Sequence, residues 1–315
     1  NLRRQLLGLP KIEVVTDLKG LDDKSFYPFY KTMAEVIEVE NRNAKVEQRQ
    51  PRDFDWVREK VAKGHYKVVK PHEIDAVFEQ LERDYKVTKL AAFDTETDGL
   101  DFTFRGFYGH GSKIVGAVLS AKAGTSYYFP LAHKRFENVC SGDPELFVER
   151  YLQPFMKDKR IVAHNNMFDW KVGFRHGLIY DCWLDTMVAI RKTYTAKNGD
   201  EYGLKAVTDR FLHREAAELD DLTKCGSYNK CGGTFDDLEE EVVAFYACPD
   251  ADNTLCVALY LLENDVLGKS GFDMMQAIHN DSRFTCVAAY SEFYGMHLNL
   301  ESVPQLRLHY GKQLV

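Results

Sequence analysis

Three short stretches hold the residues best suited to chemistry. In AAFDTETDGL, residues 91–100, Asp94 and Glu96 stand one residue apart at the end of an apolar run. In HNNMFDW, residues 164–170, Asn165 and Asp169 are four apart, and in AFYACPDADNT, residues 244–254, Tyr246 and Asp250 repeat that spacing. Carboxylates placed this close repel one another and resist burial unless something neutralises them. Side chains alternate along a strand, so Asp94 and Glu96 share one face. A four-residue spacing puts Asn165 with Asp169, and Tyr246 with Asp250, on one side of a helix. Ligands that are all oxygen select a hard divalent ion such as Mg²⁺ or Mn²⁺, and several carboxylates can hold two ions. Two such ions activate water and stabilise the leaving oxygen in phosphodiester hydrolysis, with Tyr246 placed to orient that water. Taken singly, each pair reads equally well as a solvated turn, an exposed helix carboxylate or a core tyrosine. The combination on three separate elements is what points to chemistry.

Those elements are legible from periodicity. HYKVVK reads as a strand and PHEIDAVFEQLERD as a helix, with Pro71 at its start and Ile74, Val77, Phe78 and Leu81 on one face. KLAAFDTET, KIVGAVLSAKAG and TSYYFPL follow as strands, the last two joined by a turn around Gly124. DPELFVERYLQPFMKD reads as a helix, RIVAHN as a short strand and NMFDWKVGFRHG as a helix closed by Gly177. YGLKAVTDRFLH and a long stretch from about Asp236 are also helical; Pro249 predicts a kink or a fresh start within the latter. Strands first, then strands alternating with helices, predict an α/β domain with a mixed central sheet.

The chain has 315 residues, 45% of them hydrophobic and 28% charged, with a formal charge of -7. That length allows one large core, or a main domain with a smaller one attached. The negative balance argues against wrapping duplex through a basic surface, but allows a single strand end to enter a cleft whose field is neutralised by cations. Seven cysteines without a regular framework indicate a reducing compartment. Cys225 and Cys231, in KCGSYNKCGG, are spaced too widely for a zinc knuckle and read as free thiols. No membrane-length apolar run and no signal-peptide pattern is present, so a cytoplasmic protein with no membrane partner is expected. The chain opens at Asn1, which reads as a fragment or a processed product.

The motifs and their order closely resemble the proofreading 3'–5' exonuclease domain of family A DNA polymerases, the tyrosine-bearing branch of the four-carboxylate exonucleases. DTETDGLD at 94–101, NNMFD at 165–169 and YACPD at 246–250 match its three motifs; YYFPLAH, WLDTM and GLKAVTDRFL fit the segments between them. The resemblance spans roughly residues 64–262 and implies a ribonuclease H-like fold. It implies that Asp94 bridges two ions, with Glu96 and Asp250 completing one site and Asp169 holding the second ion through water. It further places Thr95 and Leu100 against the terminal nucleotide, where an apolar side chain can wedge against an unpaired base, and Asn165 at the strand end. Cys248 and Pro249 depart from the family's third motif, and the loop TKCGSYNKCGGTFDD is unusual for it; neither removes a ligand.

Three regions follow: residues 1–63, a small appendage of unknown role; 64–265, the exonuclease domain; and 266–315, a helical tail. Within the tail YSEFYGMHLNLESV resembles the start of a polymerase domain. The partners implied are a single-stranded or frayed DNA 3' end and a polymerase domain, either in cis beyond Val315 or as a separate chain. Two rivals remain: a ribonuclease D-like exoribonuclease with the same site, and an inactive exonuclease-fold scaffold, which would lack carboxylates that are all present here.

Overall fold

A computed structural model of the chain describes residues 54–103, 111–194, 202–216, 234–263 and 274–295. Residues 1–53 of the N-terminal appendage, and the Cys225–Cys231 loop, lie outside the described residues. The sheet consists of β1 (Tyr66–Val68), β2 (Ala91–Thr97), β3 (Ile114–Lys122), β4 (Thr125–Pro130), β5 (Ile161–Ala163) and β6 (Cys182–Asp185). Its spatial order is β1-β4-β3-β2-β5-β6. β2, β3 and β4 form an antiparallel meander, while β1 on β4, β5 on β2 and β6 on β5 are parallel pairs. The expected mixed α/β sheet is present.

Alternation along β2 decides what its carboxylates meet. Ala91 and Phe93 pack with Ala117, Leu119 and Phe129 in one core. Ala92 packs on the opposite face with Val118, Tyr128 and Val162. Asp94 and Glu96 share the parity of Ala92, so they emerge on this second face. The first face is covered by α2 (Ile74–Thr88), whose buried Ile74, Val77, Phe78 and Leu81 are those the periodicity names. A helical run from Pro144 to Met156 also covers it. That run contains a π-helical stretch, Val148–Leu152, before Pro154. A proline cannot donate to the carbonyl four residues back, and a wider turn accommodates the lost bond.

The second face carries α1 (Asp55–Ala62), α5 (Thr186–Thr193), α6 (Leu204–Leu212) and α7 (Glu240–Glu263). A fresh start at Pro249 is not what forms: α7 is one helix with Pro249 inside it. Every residue from Val242 to Ala258 except Tyr246 is buried. Packing on nearly all sides outweighs the roughly 3 kcal/mol that an interior proline costs. Asp252 anchors the same helix, accepting from the Tyr66 hydroxyl at 2.5 Å and from the Gly124 N–H at 2.6 Å. Gly124 has φ +80°, so the β3–β4 turn presents that N–H at a position where a side chain would be strained.

α3 denotes Pro144–Phe147, the opening turn of the run just described, and α4 spans Asn166–Arg175. The described part of the tail is α8 (Met274–Tyr294), which packs on α4 and on β6. β6 is an edge strand, and α8 meets its exposed backbone with side chains. Ser282 Oγ accepts the Asp185 N–H at 2.9 Å, and His279 Nδ1 lies 3.0 Å from the Trp183 carbonyl. Covering an edge in this way blocks pairing with another chain. Among the described residues, no helix is long and apolar enough to cross a membrane.

Candidate metal centre

β2 has partners on both sides only as far as Ala92; beyond it, β3 alone continues the ladder. On the β5 side, the Ala91 N–H bonds to the Arg160 carbonyl. The Thr95 N–H, two alternations later, points the same way past the end of β5, and there α4 delivers Asp169. One oxygen of Asp169 accepts both the Thr95 N–H at 2.9 Å and the Thr95 hydroxyl at 2.6 Å. The side chain thus takes over the ladder position that β5 vacates.

On the α7 face, carboxylate oxygens of Asp94, Glu96 and Asp250 lie within 4.8 Å of one another. Asp94 and Glu96 come from β2 and Asp250 from the buried middle of α7, one helical turn after Tyr246. Burial pushes Asp94 and Glu96 well above the usual carboxylate range; repulsion from Asp169 and Asp250 raises both further, and Glu96 adds to it at Asp94. Burial also raises Asp250, with the Lys205 ammonium pulling the other way. Asp169 is pushed up to about 7 by burial, although the two Thr95 hydrogen bonds favour its ionised form. Lys205 Nζ donates to Asp250 Oδ1 and sits 4.9 Å from the centroid of the Tyr246 ring. A cluster of hard oxygen donors that resists ionising without added positive charge suits a divalent cation.

The structure brings Asp94, Glu96, Asp169, Tyr246 and Asp250 to one end of the sheet. Thr95 is buried and directs its hydroxyl to Asp169. The structure departs from expectation in the placement of Asn165. Asn165, expected on the face of α4, lies just outside that helix as its left-handed cap, φ 65°, with an exposed side chain. The next residue, Asn166, is the buried one: its N–H donates to Asp185, its Nδ2 to Thr285, and its Oδ1 accepts from the Tyr180 hydroxyl. The helix starts at Asn166, where the sequence reads its start, so Asn165 precedes α4 rather than sharing its face with Asp169. Leu100 is 84% exposed, in the turn after β2.

Two residues of the centre were not singled out by sequence. Lys205 lies within GLKAV, where nothing local marks its approach to α7. Asp185 lies within WLDTM; it caps α5 through the Met187 and Val188 N–H groups and also accepts from Asn165 and Asn166. It therefore fixes the turn from which α4 presents Asp169.

The architecture is a ribonuclease H-like α/β fold. It is shared with the catalytic core of RRP6 from Trypanosoma brucei, at TM-score 0.50 and 13% identity over 84% of this chain and 68% of that one. It is shared too with the RNase D of the same organism in complex with RNA U12, at TM-score 0.50 and 16% identity over 75% and 73% of the two chains. In sequence, the chain is similar to DNA polymerase I of Rhizobium leguminosarum, 28% identical over 190 residues, which are 56% of this chain. The match covers 18% of the polymerase's length. No family model matches the chain.

Proposed function

We propose that this chain is a metal-dependent 3'–5' exonuclease that removes 5'-mononucleotides from DNA 3' ends, editing for a polymerase I-like polymerase. The observation that carries this reading is the convergence of Asp94, Glu96 and Asp250 oxygens within 4.8 Å, with Tyr246 one turn away on α7. The sequence similarity to a DNA polymerase I supports DNA as the substrate. Asp94, Glu96 and Asp250 would hold one Mg²⁺ or Mn²⁺, and Asp94 with Asp169 a second. Bound there, divalent cations supply a nucleophile at neutral pH and stabilise charge on the leaving oxygen.

The remaining roles belong to the protein. Tyr246 orients the attacking water through its hydroxyl. Thr95 holds Asp169 at the end of the β2 ladder. Leu100, exposed in the turn after β2, stacks against an unpaired terminal base, giving sequence tolerance without base readout. Asn165, at the mouth of the β5–α4 turn, contacts the strand end. The polymerase domain lies either in cis or on a separate chain, and the setting is the cytoplasm.

Ribonucleases share this fold, so an RNA-trimming activity is the second reading. A site that reads a 3' end and a phosphodiester does not depend on the sugar for its chemistry. Incubating the protein with 5'-labelled single-stranded DNA and RNA, with Mg²⁺, Mn²⁺ or chelator, decides between them. DNA shortened as a ladder, with cleavage stopped by chelator, is the expected result. Internal cuts first, preferential RNA trimming, or activity unaffected by chelator would overturn the DNA-editing reading.

A further inference from the structure

One cation stands inside the acidic cluster. Lys205 occupies the first turn of α6, and its ammonium donates to Asp250 Oδ1 while lying 4.9 Å from the Tyr246 ring centroid. Tyr246 and Asp250 are one turn apart on α7, so a single ammonium reaches both the proposed water-positioner and a proposed ligand. The same charge opposes the repulsion felt by Asp94 and Glu96. α6 packs on α7, with Val207 and Val243 in one core, so the stem of Lys205 starts from a fixed base. Its side chain is 22% exposed, which leaves a path toward solvent for a four-carbon stem.

We propose that Lys205 is a positioning residue, a resident counter-ion that holds Asp250 and Tyr246 in place until a divalent cation reaches Asp250 and displaces it. An ammonium and a dication cannot both approach one carboxylate oxygen closely. At about 4 Å a singly and a doubly charged cation repel by several kcal/mol even at an effective dielectric near 20. The ammonium therefore leaves as the ion arrives. In the absence of the ion it limits the repulsion that would otherwise separate β2 from α7. Metal affinity is then the difference between what the carboxylates gain from the ion and what they lose in Lys205. This inference rests on the metal-dependent reading above.

The test measures binding rather than turnover. Mn²⁺ is titrated calorimetrically into the parent, Lys205→Met and Lys205→Arg, each checked for fold by circular dichroism. Lys205→Met should bind Mn²⁺ about tenfold more tightly, equivalent to about 1.4 kcal/mol, and melt at a lower temperature in chelator. Lys205→Arg keeps the competing charge and should stay near parental affinity. In the unmodified protein, mass spectrometry after treatment with an amine-reactive reagent should show Lys205 labelling rising when Mn²⁺ is added. Unchanged or weaker Mn²⁺ binding by Lys205→Met, or labelling indifferent to Mn²⁺, overturns the role of Lys205 and leaves the nuclease reading standing. If Lys205→Met does not fold, the labelling experiment decides alone. A parent that binds no Mn²⁺ overturns both.

Discussion

Thr95 donates its backbone N–H and its hydroxyl to the same carboxylate oxygen of Asp169, across 74 residues of sequence. The pair joins the end of β2 to the first turn of α4, and so fixes Asp169 relative to Asp94 and Glu96 on either side of Thr95. Removing the hydroxyl alone tests that link. Thr95→Val keeps the shape and the strand preference, and loses one of the two bonds. A buried hydrogen bond to a charged group contributes about 1.5–3 kcal/mol, so stability should fall by an amount in that range. Cleavage should slow, and Thr95→Ser should restore most of both. Equal thermal midpoints and rates for Thr95→Val and the parent would show that the backbone N–H suffices.

Ligand and water-positioner separate at the two ends of the third motif. Asp94→Ala or Asp250→Ala should nearly abolish cleavage, because each removes an oxygen donor from the cluster. Tyr246→Phe keeps the ring against Phe235 and beneath the Lys205 ammonium, and removes only the hydroxyl. Loss of one positioned catalytic hydrogen bond costs about 3 kcal/mol, or roughly 10² to 10³ in rate. Single-turnover rates should therefore show a weak residual activity, with single-strand affinity little changed. Parental rates in Tyr246→Phe would make Tyr246 a packing residue.

Stability in chelator should fall as pH rises. Asp169 titrates at about 7 in the fold, against an ordinary value of 3.8. Its folded state holds a proton that the unfolded chain has already released, so ν_N exceeds ν_U between those values and ∂ΔG/∂pH is negative there. For one group with that pKa, the loss between pH 6 and pH 8 is about 1.4 kcal/mol. Asp169→Asn retains an acceptor for Thr95 and removes the titration, and should flatten that decline. Thermal melts of both proteins in chelator at the two pH values provide the measurement; parallel declines would contradict the assignment to Asp169.

Frayed or mismatched duplex ends should be cut faster than paired ones. A cleft that takes one strand must first open a paired end, which costs a few kcal/mol that a mismatch has largely removed. Initial rates on matched and mismatched primer ends, well below saturation, measure the preference. Equal rates would count against editing as the role.

Gly116 lies opposite Glu96 in the β2–β3 ladder, and a Cβ there would sit 2.0 Å from the Tyr128 hydroxyl oxygen. Tyr128 is buried and bonded to His133 Nε2 at 2.7 Å, so neither ring can yield cheaply. Gly116→Ala should destabilise by about 1–3 kcal/mol, the usual cost of overpacking. Gly116→Ala/Tyr128→Leu should recover part of that loss relative to Tyr128→Leu alone. Denaturant melts of the three variants give the comparison; no recovery would place the strain elsewhere.

Residues 266–315 read in sequence as a helical tail resembling the start of a polymerase domain. Its described part, α8, packs on β6 and α4. Ser282 and His279 meet the β6 edge, and Thr285 accepts from Asn166 at the start of α4. A chain ended at residue 265 would expose that edge and leave Asn166 short of a partner.

Much of this was decided by local pattern. Alternation in AAFDTET put Asp94 and Glu96 on one face, and the 3.6-residue period placed Ile74, Val77, Phe78 and Leu81 toward the core, because both follow from backbone geometry that neighbours alone impose. The four-residue step from Tyr246 to Asp250 was equally local and survived Pro249. What the tertiary structure decided were the relations between elements distant in sequence. The early end of β5 leaves the Thr95 N–H open for Asp169, which ties the end of β2 to α4. The left-handed Asn165 stands before α4 and exposed, and Asn166 is the buried asparagine. Pro249 stayed inside a helix because burial on nearly all sides of α7 exceeded its cost. Lys205 entered the centre only through the packing of α6 on α7. Sequence carries each residue's charge and its periodicity, but an ammonium and a carboxylate 45 positions apart meet only when the chain between them has folded.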